Sequence, residues 1–312
     1  MKKSNFNKII SPTLLLFAAM IWGFAFSAQK AAEAVPVFTM GATRSLFAFV
    51  FLIFVVIAFD KINHTGRHLF SKKKIVDLNK FEICGGAVCG VVLALASFFQ
   101  QAGINAGADA GKAAFITTLY VVLVPVYALV LKKRAPINVW ISVAIAVVGF
   151  YFLCIKGDFS MAREDVFVLI CSLIFPIHIL TIDLFLPKCD GIRMSMVQFL
   201  FCALTNLIFS LILERETSIS TVCEAILPLL YLGICSSGIA YTLQIVGQKG
   251  VNPAAASVIM SLESVFGVIG AAVVFGEKME TREYIGCAIV FVAVILSQID
   301  LKTLFSKRRQ HK

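Results

Sequence analysis

The sequence predicts an all-α integral membrane protein in which ten transmembrane helices form two inverted five-helix repeats. The composition is the first reason: 59% of the 312 residues are hydrophobic and 15% are charged, and the mean hydropathy is +0.91. A soluble domain of this size could not bury so much apolar surface. The second reason is a series of apolar runs of membrane-spanning length. The third is that basic residues concentrate in every second gap between those runs.

The apolar runs give the helices in order. Crossing the hydrocarbon takes about twenty apolar residues. Pro36, Pro136 and Pro253 stand at the starts of three runs, where a missing backbone N–H costs nothing. The connections are short except for a basic segment at 60–80. The predicted spans are 11–31, 36–59, 81–103, 113–131, 136–155, 165–186, 194–213, 223–247, 253–275 and 283–301.

The distribution of basic residues predicts the orientation. About twenty Lys and Arg lie in the two tails and in the gaps near 60–80, 132–134, 188–193 and 249, against about seven in the other gaps. This excess predicts a multi-pass protein of the cell membrane with both termini in the cytoplasm. The net charge of +10 flanks segments that meet the lipid bilayer, so no nucleic-acid partner is expected.

The chain also resembles itself. A shift of about 144 positions superimposes part of each half without a gap and brings the span ends into register. We therefore predict one five-helix repeat at 1–156 and a second at 157–312. The matched pairs include Gln100 with Gln244, Gly103 with Gly247, Val121 with Val265 and Ile141 with Ile285.

The number of helices in each repeat determines their relative orientation. Because five is odd, the second repeat must be inserted upside down. The charges agree, since residues 132–134 fall on the predicted cytoplasmic side and their counterparts 276–278 on the outer side. Inverted repeats are common in secondary transporters, which bind solutes between the repeats near the bilayer midplane.

Short motifs resemble those of a known family. Trp22-Gly23 lies in the first span, and Arg44 follows Pro36 by eight residues. The segment 115–134 reads FITTLYVVLVPVYALVLKKR, and 252–277 reads NPAAASVIMSLESVFGVIGAAVVFGE. These motifs are similar to those of the EamA family, within the drug/metabolite transporter superfamily, and the resemblance extends from about residue 11 to 301. The family usually has Pro where this chain has Ser264, and Gly-Glu where it has Lys132-Lys133.

The resemblance implies a ten-helix carrier of small metabolites, often an exporter of amino acids or related compounds, with a central cavity between the halves. Gly86 and Gly90 form a separate small-residue motif that permits close approach of another helix, in the same chain or in a dimer. The sequence predicts no particular oligomeric state.

Charged residues inside spans are the main candidates for the site, because each is costly in lipid unless paired or hydrated. Glu263 lies about ten residues into its span. It is either a cavity carboxylate that binds a cationic group or exchanges a proton, or a packing residue bonded to a neighbouring helix. His178 follows Pro176 in mid-span and either binds substrate or is a satisfied core histidine.

Two further charges lie nearer the span ends. Asp183 is either a gate carboxylate or an interfacial residue. Arg44 could attract a substrate carboxylate, extend to the interface, or pair with Glu33.

Several uncharged residues complete the candidate site. Tyr120 and Thr118 lie in the fourth span, and Ser261 lies in its repeat counterpart; the two hydroxyls of Thr118 and Ser261 could bond another helix or a ligand. Trp22 could form a wall of the cavity or serve only in packing. Gln100, Gln101 and Gln244 are interpreted as polar gates or as amides that extend to the interface.

The function favoured by these features is secondary transport of a small molecule by alternating access, driven by the substrate gradient or a coupling proton, with export implied by the resemblance. The chain contains no phosphate loop, metal-ligand spacing or nucleophile motif, so no cofactor, metal or ATP hydrolysis is expected. An intramembrane sensor or binding protein is the alternative. An acid–base enzyme using His178, Asp183 and Glu263 is a further one.

Overall fold

The structure is a computed structural model that describes residues 2–62, 69, 77–108, 110–154, 162–276 and 279–299. Within these residues the chain is helical almost throughout. Most of the predicted basic loop at 60–80, the connection at 155–161, residues 277–278 and the C-terminal tail lie outside the described part.

The helices follow the predicted order, with some spans divided into segments. We number the spans 1 to 10: α1 (Lys2–Ala31), α2 (Val37–Ile62), α3 (Lys80–Asn105), α4 with α5 (Ala110–Thr118, Tyr120–Val130), α6 (Ile137–Cys154), α7 (Arg163–Phe185), α8 (Gly191–Leu213), α10 with a π-helix and α11 (Ile226–Leu230, Tyr231–Ala240, Tyr241–Gly247), α12 with α13 (Pro253–Met260, Glu263–Phe275), and α14 (Thr281–Gln298). A short α9 (Ile219–Glu224) precedes span 8.

Length and hydropathy confirm the all-α membrane fold. In the described part of the chain, nine helical segments are long and apolar enough to cross a bilayer, and span 5 is a somewhat shorter apolar helix over Ile137–Leu153. Large hydrophobic side chains cover the outer surface, as expected where lipid is the solvent; Val130 is 82% exposed and Leu227 is 77% exposed. The protein is therefore a multi-pass membrane protein.

Spans 4 and 9 are interrupted near their middles, where the sequence predicts continuous helices. In span 4 the break is at Leu119, and in span 9 it is at Ser261 and Leu262. Backbone bonds between residues three apart tighten both turns, with Leu119 N–H donating to Ile116 and Leu262 N–H to Ile259, each at 3.2 Å. Interrupted helices in corresponding spans are typical of solute sites in transporters.

Span 8 contains a second irregularity, a ten-residue π-helix from Tyr231 to Ala240. Such segments are rare and frequently lie at functional sites, because the wider turn redirects backbone and side-chain groups. Spans 1 and 2 bond to it directly. The Tyr231 hydroxyl donates to the carbonyl of Ile21 at 2.8 Å, and Arg44 Nε donates to Ser237 Oγ at 3.2 Å.

The main contacts between spans recur when five is added to each span number. Span 5 packs on span 10, and span 2 on span 7. Span 3 contacts spans 6 and 7, and its counterpart, span 8, contacts spans 1 and 2. Span 4 contacts span 6, and its counterpart, span 9, contacts span 1. Each half is thus surrounded by equivalent elements of the other.

Backbone conformation shows the same correspondence at one pair of positions. Lys132 ends span 4 with φ 57°, and Gly276 ends span 9 with φ 69°. The two positions are separated by the 144-residue shift found in the sequence. A residue with left-handed backbone at a helix end is usually Gly, because a Cβ atom is strained there. Among the described residues, Lys132 is the only one other than glycine that has a positive φ.

Gly86 and Gly90 make their close contact within the chain. A Cβ atom at Gly86 would lie 2.6 Å from Cβ of Val197, and one at Gly90 would lie 2.4 Å from the carbonyl oxygen of Gln198. Spans 3 and 7 approach closely because these side chains are absent.

Candidate functional site

A cavity lies between the two halves. Seven spans contribute to its wall, namely 1, 2, 3, 4, 6, 8 and 9. The polar and charged lining residues are Gln29, Arg44, Gln100, Thr117, Tyr120, His178, Ser236, Tyr241, Gln244 and Glu263, and the apolar ones are Trp22, Ala25, Phe26, Phe175, Ile179 and Met260. The site therefore combines a basic and an acidic side chain with an apolar surface.

The two helix interruptions place Glu263 and Tyr120 at the cavity. Glu263 is the first residue of α13, and Tyr120 is the first residue of α5. The Glu263 side chain is buried, and Tyr120 lies beside it as a hydrogen-bonding neighbour. The Oε1 atom of Glu263 has no hydrogen-bond partner among the described residues. A buried carboxylate oxygen without a donor is costly, so this atom is available to a ligand, a proton or water.

His178 lines the cavity from span 6 and is held from span 7. Its Nε2 atom is 3.0 Å from Oε1 of Gln198, and its ring stands edge-on to Tyr241 with the centroids 5.8 Å apart. The side chain is fully buried, yet its Nδ1 atom has no partner in the described part of the chain. One ring nitrogen is thus fixed while the other remains free for a further hydrogen bond.

Arg44 enters the cavity wall from span 2 with 8% of its surface exposed. Its Nε–H donates to Ser237 Oγ at 3.2 Å on the π-helix. Glu33, one of its predicted partners, forms an ion pair with Lys30 instead. Within the described residues no carboxylate is paired with the Arg44 guanidinium.

Aromatic rings form one side of the site. The indole N–H of Trp22 donates to the carbonyl of Ser236 at 3.2 Å, which fixes the ring against the π-helix. Trp22 meets Tyr241 edge-on with the centroids 4.7 Å apart. Tyr241 also contacts Phe199, at 5.7 Å between centroids. These edge-to-face contacts give the wall a fixed shape.

A chain of amides crosses the other side. Gln29 Nε2 donates to Gln100 Oε1 at 3.0 Å, and Gln100 Nε2 donates to Thr117 Oγ1 at 3.2 Å. Gln100 and Gln244 are both buried and line the cavity, which differs from the interpretation that they extend to the interface. Gln101 does not line the cavity, and its Nε2 donates to Asn105 at 2.8 Å.

Five of the eight candidate residues meet at the cavity: Trp22, Arg44, Tyr120, His178 and Glu263. The other three lie elsewhere. Thr118 bonds the Ala114 carbonyl and the Ser264 hydroxyl, Ser261 donates to the Val258 carbonyl at 2.7 Å, and Asp183 forms an ion pair with Lys133.

Sequence reasoning missed Tyr241 and Gln29 as parts of the site. A tyrosine or glutamine inside a span is ordinary, and its direction depends on helix packing. For Tyr241 the one available signal is its position directly after the Gly- and Ser-containing stretch that forms the π-helix.

Comparison with known proteins gives the family. A model of the EamA-like transporter family matches residues 10–155 and, a second time, residues 162–298. The chain belongs to the EamA-like transporter family. This confirms the resemblance read from the motifs, and it makes the protein a membrane transporter by family.

A relative from Archaeoglobus fulgidus, described as an uncharacterized transporter, is 26% identical over 284 residues, which is 90% of this chain and 83% of that protein. A protein of known crystal structure is 19% identical and has a TM-score of 0.70, with 96% of this chain and 98% of the other covered. At that identity the likeness shows the fold.

The structure explains two of the motifs in this EamA-like transporter. Gly23 of the Trp-Gly pair touches span 9, where a Cβ atom would lie 2.4 Å from Cβ of Phe266. Ser264, which replaces the usual Pro of the family, uses its hydroxyl to bond Thr118 across spans 4 and 9. A proline at this position could not make that bond.

Proposed function

We propose that this EamA-like transporter is a secondary carrier that moves a small polar metabolite, an amino acid or a related compound, through the central cavity by alternating access. The carrier operates in the cell membrane with both termini in the cytoplasm, and it exports its substrate. The orientation follows from the distribution of basic residues, and the direction of transport follows from the family resemblance alone.

The observation that carries the proposal is a set of buried polar atoms without partners. Seven such side-chain atoms occur in the described residues, and six of them belong to Glu263, His178, Gln198, Gln244 and Gln248. Buried polar groups are almost always bonded, because an unmade hydrogen bond costs about 1–3 kcal/mol. A solute or water in the cavity is the natural partner.

These atoms extend from the cavity toward one end of span 8. Glu263, His178 and Gln244 line the cavity, and Gln198 is bonded to His178. Gln248 follows Gln244 by one helical turn at the end of the span, on the predicted cytoplasmic side. This row of polar groups supports a pathway between the cavity and the predicted cytoplasmic side.

The relation between the halves supports alternating access. Equivalent packing of the two sets of five spans allows the two halves to exchange roles about the cavity, which is how inverted repeats generate two opposite-facing states. The interrupted spans 4 and 9 are bonded to each other through Thr118 and Ser264, next to cavity-lining residues of both spans. Movement of one half against the other would open the cavity to one side at a time.

The driving force in this proposal is the substrate gradient or a proton. Glu263 is the group that would bind the proton, because it is a buried carboxyl group with a free oxygen in the cavity. A small molecule and a coupling proton are thus the partners proposed for the site, and the transport step itself is not enzymatic.

Exchange in proteoliposomes tests the proposal. Proteoliposomes that contain the wild-type protein, loaded with a mixture of unlabelled amino acids and related metabolites, should take up labelled solute by counterflow. The Glu263→Gln variant should lose most of that activity while folding normally. Glu33→Gln is the matched control, since this carboxylate pairs with Lys30 outside the cavity. Normal exchange by the Glu263 variant would overturn the assigned role.

A further inference from the structure

We propose that the cavity binds a dipolar metabolite, with its carboxylate at Arg44 and its ammonium group at Glu263. This inference rests on the proposed transport function and adds the charge pattern of the substrate and the residue that binds each end. The substrate class it defines is that of neutral amino acids, which carry one charge of each sign.

Several other charged side chains in the described helices form ion pairs within the protein. Arg193 Nη2 donates to both carboxylate oxygens of Asp60, at 2.7 and 2.6 Å. Lys112 pairs with Asp165 near the start of spans 4 and 6, and Lys133 pairs with Asp183 near their ends. Ion pairs thus neutralise these charges near the ends of spans 2, 4, 6 and 7.

Arg44 and Glu263 differ from these paired residues. Both line the cavity and both are at least nine-tenths buried. In the part of the chain that the structure describes, neither forms an ion pair, with the other or with any further residue; Arg44 bonds the neutral Ser237, and Glu263 neighbours Tyr120. The cavity thus contains one basic and one acidic group that are both left for a ligand.

A suitable ligand must satisfy both groups at once. Charges inside a membrane protein are costly unless paired. An amine would pair with Glu263 and leave Arg44, and a carboxylate would pair with Arg44 and leave Glu263. A dipolar solute pairs with both at once, and its own opposite charges leave the site neutral. Charge-assisted bonds of this kind are roughly twice as strong as neutral ones.

The positions of the two groups suggest how the solute lies. Arg44 is seven residues from the start of span 2, or about 10 Å along the axis, and Glu263 is twelve residues from the end of span 9, or about 18 Å. Both of those ends are on the same side of the bundle because successive spans alternate in direction. The carboxylate therefore lies nearer that side and the ammonium group nearer the middle.

The remaining wall suits an uncharged side chain. Trp22, Phe26, Phe175, Ile179 and Met260 provide apolar surface around the charged pair. No third charged residue lines the cavity among the described residues. A solute with a charged side chain would therefore place an unpaired charge in the site, which disfavours lysine-like and glutamate-like compounds.

The first test uses unmodified protein and matched sets of three probes. Each set contains a neutral amino acid, the amine without its carboxylate and the acid without its amino group; phenylalanine, phenethylamine and 3-phenylpropanoate form one set, and leucine, isopentylamine and 4-methylpentanoate form another. Binding is measured by thermal shift and by competition in counterflow. We expect the amino acid of at least one set to bind about tenfold more tightly, or better, than either of its single-charge analogues.

The second test assigns the ends. Arg44→Gln should remove the preference for phenylalanine over phenethylamine, and Glu263→Gln should remove the preference for phenylalanine over 3-phenylpropanoate. Lys30→Gln and Glu33→Gln remove the same two kinds of charge outside the cavity and should leave both preferences unchanged. The thermal stability of each variant is measured to show that it folds. If a variant does not fold, the first test still decides the proposal, because it uses only unmodified protein.

The outcomes separate this inference from the transport function. If the amine or the acid is exchanged as efficiently as the amino acid, the dipolar site is contradicted, whereas the proposed transport function is not. Absence of binding by every amino acid in the sets would also overturn the dipolar site. Loss of the same preference in both cavity variants would contradict the assigned orientation.

Discussion

Replacement of Gly23 by Ala tests the contact that holds spans 1 and 9 together beside the cavity. An added Cβ atom would lie 2.4 Å from Cβ of Phe266, 2.6 Å from its carbonyl carbon and 2.7 Å from the nitrogen of Gly267. Two of these atoms are backbone, so the helices themselves must separate. Overpacking of this kind costs about 1–3 kcal/mol, and Ala returns about 0.5–1 kcal/mol of helix preference. We expect a net loss of about 1–2 kcal/mol.

Gly267→Ala is the matched control for this prediction. It lies on the same interface, but its added Cβ atom would be no closer than 3.7 Å to the carbonyl oxygen of Gly23, which is an ordinary contact. This variant should be as stable as the wild type or slightly more stable. Phe266→Ala should not rescue Gly23→Ala, because alanine retains the Cβ atom that causes the clash.

The assay is thermal unfolding of the purified variants in detergent, followed by counterflow in proteoliposomes. Gly23→Ala should lower Tm by several degrees and reduce exchange, since Trp22 is the adjacent residue and bonds the π-helix. Equal stability of Gly23→Ala and Gly267→Ala would refute the packing of spans 1 and 9 described above.

Three further variants test individual features. Lys132→Gly should stabilise the protein by about 0.5–1 kcal/mol in thermal unfolding, because a left-handed backbone strains lysine and not glycine; no gain would contradict that conformation. Trp22→Phe should lower the free energy of unfolding by about 1 kcal/mol, because it removes the hydrogen bond to the Ser236 carbonyl. Trp140→Phe, at a residue outside the cavity wall, is the control and should not have this effect. Equal destabilisation by the two variants would contradict the hydrogen bond. A double-mutant cycle of Lys133→Gln and Asp183→Asn should give a coupling below about 1 kcal/mol, since both side chains are partly exposed, and a larger coupling would show a buried lock.

The order and approximate extent of the spans follow from the sequence because they depend on local composition. Hydropathy identifies the apolar runs that are long enough to cross the bilayer. Pro36, Pro136 and Pro253 each stand at or directly before the first residue of a helix. Hydropathy does not measure the hydrogen-bonding pattern of the backbone. The breaks at Leu119 and at Ser261, and the π-helix from Tyr231 to Ala240, therefore replace helices that were predicted to be continuous.

The candidate site was partly predictable for a similar reason. Arg44, His178 and Glu263 stand out because a polar group inside a span needs a partner or a cavity. Whether such a residue faces the cavity depends on packing, and this is why Asp183 lies with Lys133 and why Tyr241 was not singled out. The uncharged members of the site require the fold before they can be recognised.

The relation between the two halves is the basis of the proposed alternating access. Equivalent contacts between spans, and the left-handed residues Lys132 and Gly276, support it from two independent directions. Both features concern a single conformation, whereas alternating access requires a second one with the cavity open to the opposite side.

Labelling of a single cysteine in the cavity tests the central claim most directly. Ser236→Cys places a thiol in the cavity wall, in a background in which the nine native cysteines are replaced, and Ser142→Cys, buried in span 5, is the control. In oriented vesicles a membrane-impermeant maleimide should label position 236 when added to either side, and bound substrate should slow labelling. Reaction from one side only, with and without substrate, would contradict a cavity that opens alternately to the two faces.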